Sequence, residues 1–130
     1  MRRAVVCLVF IAACQSSSAP RADAPGDYTL MTINGHPLPA TGGSSMVLSS
    51  SISLRSDGHF SLARIDSFPL TPGAANDTLS LDGTWSLSGS DLRMFYGSGQ
   101  SLLAEFFGTL SGSQLTIAQP SEGVWVYTRR

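Results

Sequence analysis

Apolar and polar positions exchange along the chain in short runs bounded by Gly, Pro, Asn, Asp and Ser, the period of half-buried β-strands. The pattern is sharpest in Gly83–Ile117, which holds one phrase twice: Leu87-Ser88-Gly89-Ser90-Asp91-Leu92 and Leu110-Ser111-Gly112-Ser113-Gln114-Leu115. Each copy follows a Gly-Thr, and each sets apolar residues on both sides of a Gly-Ser. Glycine at the first central position of a two-residue loop fits a type II′ turn, whose twist matches the flanking strands. Both copies therefore predict a tight hairpin with the two leucines opposite each other on one face.

Eight strands follow from the same reasoning. Tyr28–Ile33 is the first, ended by Asn34-Gly35. Two prolines follow in His36-Pro37-Leu38-Pro39 and rule out an immediate central strand, so a loop is expected to about Gly43. Met46–Arg55 is the second strand, with Met46, Leu48, Ile52 and Leu54 on one face and Ser50 interrupting. Ser56-Asp57-Gly58 closes a bulged hairpin that pairs Leu54 with Phe60 and Ile52 with Leu62. His59–Asp66 is the third strand, followed by the long loop Ser67–Asp77, of a length that usually carries function. Thr78–Leu87 is the fourth, with Leu79, Leu81, Trp85 and Leu87 together and Gly83 at a bend or bulge. The Gly-Ser turn pairs Leu87 with Leu92 and Trp85 with Met94. Asp91–Tyr96 and Gln100–Leu110 then place Tyr96, Met94 and Leu92 with Leu102, Ala104 and Phe106 on the inner face, and pair Arg93 with Glu105 outside. Gln114–Gln119 and Val124–Arg129 complete the series. Eight sequential antiparallel strands suffice to close a barrel, which removes the exposed edges that invite aggregation. The fold class is all-β: an up-and-down meander closing as a small eight-stranded barrel.

Composition places this barrel outside some function classes. The 130 residues suit one domain; 42% are hydrophobic and 13% charged, with a net charge of −1. All eight basic residues are arginine, and they form no basic patch that would hold nucleic acid.

The first residues read as a targeting segment. Met1-Arg2-Arg3 is a positive start, and Ala4–Ala13 is an apolar run too short to span a bilayer, which takes about 20 residues. It ends in Ile11-Ala12-Ala13-Cys14. This resembles the lipobox of bacterial lipoproteins, an aliphatic and two small residues before a cysteine that accepts diacylglycerol. Cys7, the other cysteine, leaves with the leader, so a processed chain would keep Cys14 alone, a thiol that acylation explains. Acyl chains on Cys14 would anchor the chain to a membrane. Gln15 follows, where aspartate favours inner-membrane retention in enterobacterial lipoproteins. The expected location is the bacterial envelope, at the outer membrane facing the periplasm. Residues 1–13 are thus a signal peptide, 14–26 a flexible Ser/Ala/Pro tether and 27–130 the barrel domain.

The domain itself is similar to the small lipocalin-like lipoproteins of bacteria. The resemblance rests on a Tyr-x-Leu start, Asn34-Gly-x-Pro-Leu-Pro39, the repeated Gly-Thr…Leu-Ser-Gly…Leu unit and a terminal aromatic-x-x-Arg. It covers residues 27–130 and implies the barrel fold, with binding of a small apolar ligand as one expectation. The alternative is a solid barrel that contacts an envelope partner through its surface or loop 67–77.

Candidate chemistry is sparse. His36 and His59 are the only histidines, and without cysteine ligands they fall short of the three or four donors zinc takes. No Gly-x-Ser-x-Gly elbow exists, and the aspartates lie at or near turns. No cofactor, metal or catalytic residue is expected, and the chain reads as a non-enzyme. Asn76-Asp77-Thr78 matches a glycosylation sequon of little meaning in a bacterial lipoprotein. Trp85, Met94, Tyr96 and Phe106 converge on one face, where they either line a ligand cavity or fill the core. Arg64 completes the candidate set. Strict alternation from Phe60 and Leu62 sends it inward near the barrel mouth, where a guanidinium must be paired or bind an anion; a bulge would instead turn Ile65 inward and Arg64 to solvent.

Overall fold

The computed structural model describes residues 24–68, 72–73, 75–98 and 101–130, with the side chains of 98 and 101–103 left aside. Ten strands run in chain order: β1 (Gly26–Ile33), β2 (His36–Pro37), β3 (Ala40–Gly42), β4 (Ser45–Leu54), β5 (His59–Ser67), β6 (Asp77–Ser88), β7 (Asp91–Ser98), β8 (Ser101–Ser111), β9 (Gln114–Gln119) and β10 (Gly123–Arg129). Every pairing is antiparallel. The order β1-β10-β9-β8-β7-β6-β5-β4 returns on itself through β1–β4, making the closed eight-stranded meander barrel that the sequence predicts.

The two added strands occupy the stretch expected to be loop. Asn34 and Gly35 both have positive φ, 51° and 79°, a type I′ turn that folds His36 and Pro37 back on Ile33 and Thr32. Pro37 is tolerated because β2 is an edge. β3 pairs with the start of β4. At that end β1 and β4 part, their direct pairing being confined to Gly26–Thr29 with Ser51–Leu54.

One expected face is corrected. A register shift between Val47 and Ser49 makes Leu48 the extra residue of a bulge. Val47, Ser50, Ile52 and Leu54 are therefore the buried set, while Met46 and Leu48 are half-buried. Ser50 no longer interrupts an apolar row; its hydroxyl meets the Tyr127 hydroxyl at 3.1 Å inside the barrel.

The hairpins follow their turn chemistry. Leu54 pairs with Phe60, Ile52 with Leu62, Leu87 with Leu92, Trp85 with Met94, and Leu110 with Leu115. Gly89 and Gly112 have φ of 62° and 59°, and neither Ser90 nor Ser113 has positive φ, which fits type II′ and excludes type I′. The β7–β8 register differs in detail: Met94 faces Phe106, Tyr96 faces Ala104 and Leu92 faces Gly108. Arg93 consequently lies opposite Phe107, and its contact with Glu105 is a 3.9 Å diagonal.

The two ends of the barrel differ. One end carries the three tight turns 55–58, 89–90 and 112–113, together with the start of β1 and the end of β10. Here Trp85 donates its indole N–H to the Arg55 carbonyl at 3.0 Å, and the Tyr28 hydroxyl donates to the Ala24 carbonyl at 2.7 Å. Ala24 is buried in the core and Gly26 opens β1, so the packed barrel begins before residue 27. The other end carries β2, β3, the long connection after β5 and the short ones after β7 and β9. Tyr28, Phe60, Trp125 and Tyr127 are the bulkiest buried side chains between the two ends.

Candidate functional site

At the second end of the barrel the inward-facing residues of β6, β7 and β8 are less covered than those below them. β6 is exposed on both faces from Asp77 to Ser80, so its inward-facing Leu79 keeps 41% of its surface. Tyr96 and Phe106, on β7 and β8, are half-buried and stack with ring centroids 5.4 Å apart. Ala104, directly across from Tyr96, is also half-buried. Tyr96, Ala104 and Phe106 thus form an apolar wall on β7 and β8, with Leu79 further along β6 towards the same end. Trp85 and Met94 are in register with this wall but deeper, and they are buried in the packed half. Leu102 belongs to the same strand, but its side chain lies outside the described residues.

The opposite side of the mouth is polar and closed. Arg64 does point inward: the bulge lies in β4, not β5, and Ile65 is the exposed neighbour. Its guanidinium reaches Asp66 at 2.7 Å, Glu122 at 3.1 Å and the Ser45 hydroxyl at 3.2 Å, and it lies 4.8 Å above the Trp125 ring. The Arg64 side chain keeps only 11% exposure. Burial works against its charge, but the hydrogen bond to Asp66 and the carboxylate charges of Glu122 and Asp66 outweigh it and hold its pKa above the ordinary value. The Trp125 indole N–H is buried with no hydrogen-bond partner among the described residues. Below this cluster, burial pushes the Tyr127 hydroxyl up to about 12, against the opposing hydrogen bond from Ser50.

Sequence reasoning leaves Arg64 between the mouth and solvent and favours the bulge that would expose it, so its inward position is a correction, and its partners are not found at all. Asp66 would follow from alternation on the same strand. Glu122 is 58 residues away, in a connection between strands, and nothing in its neighbourhood marks it. Cys14 lies outside the described residues, as do residues 69–71 and 74 of the long loop. His36 and His59 are exposed and far apart in the fold, His59 resting 3.3 Å from Asp57 at the hairpin 55–58. No group of three or more His, Cys, Asp or Glu suited to a metal occurs among the described residues.

Outside the barrel, a groove of about 390 Å³ runs over β7–β10 between Arg93, Phe107, Thr116, Ala118 and Val124. Phe107 and Val124 are among the exposed large hydrophobics. A second groove of about 400 Å³ crosses β1, β4, β5 and β6 over the small outward residues Ser51, Ser53, Ser61, Ala63 and Ser80. Compared with known proteins, the chain matches no family model, no curated protein and no solved structure.

Proposed function

We propose that this is a lipid-anchored bacterial envelope protein, held to the outer membrane through acyl chains on Cys14, whose barrel takes a small apolar ligand at its open end. The anchoring rests on Ile11-Ala12-Ala13-Cys14 behind a short apolar leader. The binding rests on the half-covered patch of Tyr96, Ala104 and Phe106, its two rings packed on the core beneath, with exposed Leu79 further along β6, because apolar surface that faces a barrel interior and stays partly uncovered gains from a guest. The reading is non-catalytic: the wall is apolar, and Arg64, Asp66 and Glu122 beside it are engaged with one another.

The uncharged fluorescent probe N-phenyl-1-naphthylamine tests the binding. Saturable enhancement is expected with the wild type, and Ala104→Leu should weaken it at little cost in stability by filling the space beside Tyr96. A loss of ~1–3 kcal/mol on Ala104→Leu, with no probe bound by either protein, is what a filled core gives and would remove the ligand from the proposal.

The outer groove supports a second reading, a solid barrel that docks an envelope partner. Phe107 is 51% exposed there, on a face the barrel itself does not need. Phe107→Ser should then abolish co-purification of a specific envelope protein without changing probe binding.

A further inference from the structure

The open end joins its apolar wall to an excess of negative charge. Three carboxylates belong to it: Asp66 and Asp77, directly opposite each other on β5 and β6, and Glu122 beside Gly123 at the start of β10. Like charges facing across a sheet repel. Arg64 is the one arginine there among the described residues; Arg55, Arg129 and Arg130 sit at the closed end, and Arg93 is on the outer wall. Its guanidinium is already shared between Asp66 and Glu122. Asp77 is exposed and forms no ion pair with any described residue.

A free guanidinium at the mouth of an apolar site would clasp a carboxylate in bidentate fashion. Here that capacity is used, and an incoming anion would meet the uncompensated charges of the rim. A cation would meet the opposite situation: Asp77 two residues from exposed Leu79 on the same face, and the faces of Tyr96 and Phe106, which attract ammonium groups. The carboxylates are not gathered as a metal site, so a positive charge on an organic head fits better than a bare ion. Resting on the ligand-binding reading above, we infer that the mouth selects small cationic amphiphiles, an ammonium head on an apolar tail, and rejects fatty acids.

The test uses the full-length protein in phosphatidylcholine vesicles, with empty vesicles as the blank, and equilibrium dialysis of octyltrimethylammonium, octanol and octanoate. Octyltrimethylammonium should bind about tenfold tighter than octanoate, with octanol between them and the gap shrinking as salt is raised. Asp77→Asn, a change at an exposed position, should narrow the gap between octyltrimethylammonium and octanoate about threefold. Octanoate binding as tightly as octyltrimethylammonium, with octanol bound, would overturn the charge selectivity and leave the apolar site standing. Retention of none of the three above the blank would overturn both.

Discussion

The glycines of this barrel do two different jobs, and substitution separates them. Gly89 and Gly112 occupy left-handed turn positions with open space around them. Alanine there is strained by backbone conformation alone, so Gly89→Ala and Gly112→Ala should each cost about 1 kcal/mol in urea unfolding. Gly83 has no positive φ, yet a Cβ would strike the Phe95 carbonyl oxygen and come within 2.7 Å of the Phe60 ring. Phe60 lies directly across from it and uses the space. Gly83→Ala should therefore cost roughly 3 kcal/mol or more, exceeding either turn variant. An equal or smaller loss would mean that the β7 backbone at Phe95 and the Phe60 ring can both give way freely. The turn glycines were legible from the repeated phrase around them. Gly83 was legible only as an irregularity, because its reasons are the Phe95 carbonyl and the Phe60 ring on the two neighbouring strands.

For strands, alternation and turn length carried the reading where the ladder is regular and lost it where a residue is inserted. From β5 to β9 the hairpin turns set which residues face inward. In β4, Ser50 is inward by the same alternation as Ile52 and Leu54; the Leu48 bulge resets the phase before it, so Val47 is buried in place of Met46 and Leu48. A bulge leaves little trace in one sequence, since Met46, Val47 and Leu48 are all apolar. Arg64 shows the consequence: strict alternation would send it inward, the favoured bulge in β5 is absent because the insertion lies in β4, and the carboxylate that crosses from the β9–β10 connection could only come from the closed barrel. Because Asp66 is buried with Arg64, Arg64→Leu should destabilise by ~3 kcal/mol through the carboxylate left unpaired. Adding Asp66→Asn should recover part of that loss. Urea midpoints of the two variants check it; no recovery would assign the cost to lost packing over Trp125.

At the scale of the molecule, the absence of lysine makes alkaline stability a clean measurement. Tyr28 and Tyr127 both have raised pKa values, burial being the first cause in each, with Arg129 partly opposing it at Tyr28 and Ser50 at Tyr127. A group whose pKa is higher folded than unfolded holds its proton more tightly in the native state. Its contribution is complete below the unfolded value near 10 and is lost as pH rises towards the folded value, about 12 for Tyr127. The wild type should lose roughly 2–3 kcal/mol between those limits. Tyr127→Phe should flatten the profile, and an unchanged slope in that variant would mean that Tyr127 is not the source. The anchor is tested at the same scale. Wild type should label with palmitate and partition into detergent, while Cys14→Ser should remain unprocessed or soluble; an unlabelled wild type with its N-terminus elsewhere would end the lipoprotein reading.

The closed end has a consequence for traffic. The chain enters the barrel at Ala24, beneath the tight turns and opposite the mouth. A tether from Cys14 to Ala24 can extend at most roughly 35 Å. In a molecule anchored through Cys14, attachment at this end leaves the opening free to face the aqueous compartment. A guest would arrive and leave through solution, or pass to a second membrane or protein facing the first, instead of sliding in sideways from the bilayer that holds the anchor.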